Sequence, residues 1–188
     1  MQLFDNITPE LQEWLEQQKL FFVGTAPLSG DGHVNLSPKG HDCFRILDNQ
    51  TVCYNMDMSG SGNETSAHIA ENGRITLMWC GLEGPPRILR LYGQGEVILK
   101  GSGDKWNQLA GKFPEVLPGT RQIIVNHVDR VQTSCGYAVP YYEYKEDREV
   151  LKKFFKVKEK QAEGCEEYWR KKNMKSIDGL TTLPWQKS

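Results

Sequence analysis

The sequence predicts an antiparallel β-barrel carrying flanking helices, and three observations predict it. Short runs rich in β-branched and aromatic residues recur between turn-rich segments, from Phe21–Ala26 to Gln122–Val131. A helical stretch, Glu64–Ala70, sits between two of these runs, so the helices decorate the strands rather than alternate with them. No strand–helix–strand unit carries a G-x-G-x-x-G turn, which argues against a parallel dinucleotide-binding sheet.

The elements follow in order. Thr8-Pro9-Glu10 opens a short helix with a capping hydroxyl, a proline in the first turn and an early acid. Leu11, Trp14 and Leu15 then share one face. Phe21–Ala26 is a buried-strand run, closed by the turn-rich Pro27–Gly32 and paired in a hairpin with His33–Ser37. Phe44–Leu47 and Thr51–Met56 flank the turn Asp48-Asn49-Gln50. After the glycine-rich Met58–Asn63, the helix Glu64–Ala70 stops at Asn72-Gly73. Arg74–Trp79 and Arg87–Leu99 are strands, and Gly93 and Gly95 in the second mark a bulge or bend. Asp104–Lys112 reads as a helix and Gln122–Val131 as the last strong strand.

The chain's 188 residues suffice for one good-sized core, and the expected division is a barrel over 1–140 with a helical extension over 141–188. Within that extension Lys145–Lys175 carries eleven Lys and Arg against seven Asp and Glu, a local charge of +4. Val150, Leu151, Phe154, Phe155 and Val157 give it an apolar stripe of helical period, which reads as a solvated helix lying on the barrel. The whole chain has a formal charge of −1, so no global field recruits nucleic acid or an anionic membrane. Apolar runs such as Leu20–Val23 are too short to cross a bilayer. Met1–Glu10 lacks the basic and apolar regions of a signal peptide, so a cytoplasmic location is expected. On that expectation the Asn-x-Ser/Thr triplets at Asn6, Asn35, Asn49 and Asn63 are coincidental. Five widely spaced cysteines without a C-x-x-C pair, and four histidines without H-E-x-x-H spacing, point to no dedicated metal site and suit a reducing compartment.

The strongest local feature is Gly60–Ser66. Small residues let backbone approach a ligand, Asn63 is suited to cap the helix that follows, and a helix start presents N–H groups to a phosphate. Thr65 and Ser66 add hydroxyl donors, whereas Glu64 competes with an anion for the same dipole. The segment is no Walker A loop, because no lysine follows the glycines. The same residues suit a plain capped helix after a flexible turn, and alone they suit it better. Cations could come from Lys39, at the end of Ser37-Pro38-Lys39, or from Arg87 and Arg90, which stand three apart on one strand and therefore face opposite ways. His41-Asp42 and His127…Asp129 are isolated pairs, and no Ser–His–Asp or Cys–His set assembles. Cys135, in Ser134-Cys135-Gly136-Tyr137, has no neighbouring cation to lower its pKa.

Taken in order, Phe21–Ala26, Val34–Gly40, Gly60–Gly73 and Pro85–Gly93 resemble the pyridoxamine 5′-phosphate oxidase-like split-barrel flavoproteins. Ser134–Tyr137 and Ser176–Leu180 also look like the branch that carries these segments. The resemblance implies a split β-barrel and a homodimer with FMN in a groove between protomers. It implies that the Val34–Lys39 strand, with Asn35 and Ser37, runs beside the isoalloxazine ring and ends in a phosphate-binding Lys39. Tyr54 and Asn55 would lie near the cofactor, Asn63, Thr65 and Ser66 at its phosphate, and the strand of Arg87 and Arg90 across the site. One departure stands out: the oxidases' basic pair at the helix start is replaced by Thr65 and Ser66. Each lost charge-assisted hydrogen bond is worth ~1.5–3 kcal/mol, so FMN would bind more weakly or an arginine would compensate. The oxidases' C-terminal substrate-phosphate residues are not recognisable, so the expectation is an FMN-dependent oxidoreductase of another substrate. The alternatives are a non-catalytic flavin carrier or sensor, or a split barrel that binds deazaflavin or haem, the latter through His33, His41, His68 or His127.

Overall fold

Thr8 starts the first helix as its sequence predicts. Its hydroxyl accepts from the Leu11 N–H at 3.4 Å, Pro9 fills the first turn, and α1 spans Pro9–Gln17 with Leu11 and Leu15 buried. The computed structural model describes residues 1–58, 62–161 and 164–182, so Gly60 and Ser61 of the glycine-rich turn and the last six positions of the expected extension lie outside the described residues.

Strands β1 (Gln2–Phe4), β2 (Phe21–Thr25), β3 (Asn35–Lys39), β4 (Phe44–Ile46), β5 (Thr51–Asp57), β6 (Arg74–Cys80), β7 (Ile88–Leu99) and β8 (Gln122–Ser134) form one sheet. Its order is β3-β2-β6-β7-β8-β5-β4, with β1 added to the far end of β8, and every pairing is antiparallel. The sheet curls until its two ends face each other across the interior. Phe21 of β2 thus lies 5.7 Å from Phe44 of β4 and 5.6 Å from Tyr54 of β5, ring centre to ring centre, with Trp79 of β6 stacked on it at 5.1 Å. Val23, Leu77, Leu89, Leu91 and Ile124 fill the rest of this half-barrel, all fully buried. A second apolar layer, with Trp106 and Leu109 of α3 (Asp104–Ala110), covers the other face of β8 at Ile123 and Val125.

The bend expected at Gly93 is present: the β7–β8 register shifts between Tyr92 and Gly93. A Cβ there would run into the carbonyl oxygen of His127. Beside it the Gly95 N–H donates to the Gly73 carbonyl at 2.6 Å, which seats the end of helix α2 (Asn63–Asn72) on the strand. Gly73, at φ 75°, ends that helix as its sequence predicts. The helix start differs from expectation. Gly62 occupies the cap position at φ 97°, and Asn63 is the first helical residue rather than the cap. A left-handed glycine turns the chain there without a side-chain acceptor, which leaves the Asn63 amide available for another contact.

After β8 the chain runs without regular secondary structure to α4 (Val150–Glu159), and α5 (Gly164–Lys172) follows. The expected stripe is narrower than its sequence suggests. Phe155 is fully buried and Leu151 packs in the same cluster with Met58 and Leu117, whereas Val150 and Val157 are 75% and 58% exposed. Trp169 of α5 is buried, and its indole N–H donates to the Met58 carbonyl at 3.0 Å, so both helices are fastened beside the end of β5. Among the described residues no helix is long and apolar enough to cross a membrane.

The close approach at Gly93 makes a direct prediction. Gly93→Ala forces β7 and β8 apart and should destabilise the fold by roughly 1–3 kcal/mol, seen as a fall of several degrees in Tm by calorimetry. An unchanged Tm would show that the bulge does not depend on glycine.

Candidate functional site

The pairing register places the β3 side chains. Asn35, Ser37 and Lys39 stand opposite Thr25, Val23 and Phe21, so they share the inward face while Leu36 and Pro38 point out. Ser37 and Lys39 are buried as a result. Helix α2 lies against this row. The Asn35 amide donates to the hydroxyls of Thr65 (3.1 Å) and Thr25 (3.2 Å), and Ser37 donates to Asn35 Oδ1 at 2.9 Å. Thr25 Oγ1 also shares a hydrogen bond with Nδ1 of His68 at 3.0 Å. The other ring nitrogen of His68, Nε2, is buried without a hydrogen-bond partner among the described residues. Burial holds the His68 pKa below its ordinary value.

The other side of this seam comes from β5 and β8. The Lys39 ammonium lies 5.6 Å from the centre of the Tyr54 ring, bridging β3 to β5. Asn55 is buried next in the chain, its N–H donating to the Cys43 carbonyl at 3.1 Å. The Gln122 amide, at the start of β8, donates to Ser66 Oγ at 2.6 Å, and Ser66 donates in turn to the Gly62 carbonyl at 3.0 Å. Asn35, bonded to Ser37, thus meets Thr65 of α2, Lys39 meets Tyr54 of β5 and Ser66 meets Gln122 of β8, whereas Asn55 lines a separate cavity with His41, Met58 and Thr120 and Asn63 faces the C-terminal segment.

Arg87 and Arg90 do not join them within one chain. Arg87 precedes β7, pairs with Glu10 at 2.8 Å and lies over the Trp14 ring, so it is engaged with α1. Arg90 occupies the outer face of β7, opposite Met78 and Gln132, and donates to Ser134 Oγ at 3.4 Å. The remaining histidines are scattered: His33 pairs with Asp178 at 2.6 Å, His41 with Asp147 at 3.4 Å and His127 with Glu96 at 3.3 Å. No group of three or more His, Cys, Asp or Glu that could hold a metal occurs among the described residues. Cys53 is fully buried, and burial pushes its thiol pKa up to about 12.

A further component of the seam was not legible in the sequence. Residues 173–182 fold back over the start of α2 as a short strap. Asn63 Nδ2 donates to the Lys175 carbonyl, and the Ile177 N–H donates to Glu64 Oε1 at 3.0 Å. Asp178 accepts from the His33 N–H at 2.8 Å, and that bond, with the His33 ring beside it, holds its pKa below the usual carboxylate range. The strap turns on itself through the Lys175–Thr181 bridge and Gly179 at φ 77°. Glu64, the acid set against an anion at this helix start, is therefore occupied in holding the strap.

The conserved family model described as pyridoxamine 5′-phosphate oxidase matches residues 7–135. The chain belongs to the pyridoxamine 5′-phosphate oxidase family. A relative from Aspergillus flavus, the pyridoxamine 5′-phosphate oxidase family protein ustO, is 36% identical over 200 residues, covering 96% of this chain and 77% of that protein. Among solved structures, HupZ from Group A Streptococcus aligns with a TM-score of 0.51 at 24% identity, over 69% of this chain and 94% of that one. A putative pyridoxamine 5′-phosphate oxidase from Lactobacillus delbrueckii gives 0.51 at 14% identity, over 69% and 95%. These structures share the split-barrel fold of the family. All ten residues expected at the site lie inside the family-matched span, whereas the strap lies beyond it.

Buried His68 should make stability depend on pH. Its pKa is depressed in the fold, so the unfolded chain takes up a proton first as pH falls. Its contribution is complete above the ordinary value of 6.5 and is lost progressively below it. Urea denaturation between pH 7.5 and 5 should therefore show falling stability, and His68→Gln should flatten that part of the curve. Equal slopes in both proteins would contradict the assignment.

Proposed function

We propose that the seam is the cofactor cradle of an FMN-dependent oxidoreductase that acts on a small molecule. The observation that carries this reading is the polar network on the first turn of α2, where Asn35 meets Thr65 and Gln122 meets Ser66, with Asn63 Oδ1 and His68 Nε2 of the same helix buried without partners among the described residues. Unmet buried polar atoms are costly, and a polyhydroxylated phosphate ligand supplies both donors and acceptors. In this reading the backbone N–H groups at the start of α2, with Thr65 and Ser66, hold the phosphate and Lys39 adds charge. Asn35, Ser37 and Tyr54 line the remainder of the cofactor. When bound, FMN supplies hydride or electron transfer, and the protein supplies binding, orientation and electrostatics.

A second copy of the chain would complete the groove. The outer face of β2, β3, β6 and β7 exposes Val34 (77%) and Leu36 (65%) beside a shallow groove of about 580 Å³ that includes Tyr92 and Asp129. Arg90 stands on this same outer face, so a homodimer would bring arginines toward a partner's cofactor. The five free cysteines suit the cytoplasm as the place of action.

One observation favours a non-catalytic flavin carrier as the second reading. The histidine nearest the seam, His68, is fully buried with Nδ1 already bonded, so it is poorly placed to exchange protons with substrate. Sustained NAD(P)H oxidation with an electron acceptor would exclude the carrier.

Purified protein should bind FMN in calorimetric titration and then show flavin absorbance bands; neither signal would leave the cradle reading without support. Thr65→Glu sets a second carboxylate beside the phosphate and should weaken FMN at least tenfold, about 1.4 kcal/mol. Unchanged affinity would place the phosphate elsewhere.

A further inference from the structure

The basic C-terminal segment has no role in the reading so far, and the strap suggests one. Some of its cations pair with nearby acids: Lys152 with Glu149, Arg170 with Glu166 and Lys171 with Glu167. Lys175 is distinguished by what holds its backbone. Its side chain is exposed and makes no ion pair among the described residues, yet its backbone carbonyl is held by the side chain of Asn63, the first residue of α2. The lysine is therefore anchored by its main chain directly at the helix start, with a four-carbon stem free to reach around it.

The same contact settles the orientation of Asn63. A carbonyl can only accept, so Nδ2 must face Lys175, and Oδ1 is left as the buried atom without a partner among the described residues. Asn63 is only 5% exposed, so its unmet acceptor points to a donor that the described residues do not provide. A ligand hydroxyl is such a donor, and a phosphate ester of a polyol presents hydroxyls next to its anionic group. Glu64, the acid that would repel that anion, accepts from the Ile177 N–H two residues along the strap.

We propose, building on the cradle reading, that Lys175 is a second phosphate-binding cation of this site beside Lys39, delivered by the strap. The strap then forms a wall of the site, and the helix start recognises the phosphate together with a neighbouring hydroxyl. The role is electrostatic, so it is specific to the phosphate and indifferent to the rest of the flavin.

Calorimetric titrations of the full chain with FMN and with riboflavin, which lacks the phosphate, test this. Lys175→Gln should weaken FMN at least tenfold and leave riboflavin unchanged, while Lys175→Arg should keep most of the FMN affinity. The preference of the wild-type protein for FMN over riboflavin should also shrink as salt is raised. Lys175→Gln binding FMN as tightly as wild type would overturn the role of the lysine while leaving the cradle intact. Equal losses for FMN and riboflavin would overturn it too, by showing a merely structural contribution. Wild-type protein that binds neither flavin would bring down the cradle reading and the lysine with it.

Discussion

A curled sheet that does not close leaves polar positions at its open side, and here helix α2 packs on β2, β6 and β7 next to them. The aromatic contacts of Phe21 with Phe44 and Tyr54 bring β2 and β3 face to face with β4 and β5, but no ladder joins them. Backbone hydrogen bonds are unavailable across such a gap, so polar side chains must serve. The chain of bonds from Ser37 through Asn35, Thr25 and His68, with its branch to Thr65, ties β2 and β3 to α2, and the Gln122–Ser66 bond ties α2 to β8. Everything that concentrates polar chemistry at one place in this fold follows from that opening.

The same constraint explains how the barrel's residues are shared between stability and binding. Deep in the half-barrel the inward positions are Val23, Leu77, Leu89 and Leu91, all fully buried. Toward the mouth the inward positions become Thr25, Asn35 and Ser37 on strands that otherwise continue the same alternation. One strand thus contributes packing at one end and hydrogen bonding at the other. The cost of burying those polar groups is offset by mutual bonding, while Asn63 Oδ1 and His68 Nε2 are among the buried atoms without a hydrogen-bond partner among the described residues.

Much of this was legible in the sequence because it is local. Alternation marks β2, the cap at Thr8 marks α1, and Gly93 marks the bulge, each through interactions spanning a few residues. β1 escaped because three residues carry too little pattern, and Asn63 was given the cap position because a glycine at positive φ does that work unseen. The placement of Arg87 and Arg90 turned on what lies beside the strand, namely Glu10 of α1 and Ser134 of β8. Ser176–Leu180 stood out only as a segment resembling the family branch, and its place over α2 could not be read. Nothing in residues 173–182 has the period of an element, and their partners lie in distant parts of the chain.

That distance has a consequence for the order of events in folding. The strap's bonds join residues 112, 113 and 145 positions apart, and the Trp169–Met58 bond spans 111. Contacts of such separation carry the largest loop-closure entropy and come late, after hairpins such as β2–β3 and β6–β7 have formed. The barrel is thus assembled with its mouth still open, and the chain draws its last segment across afterwards.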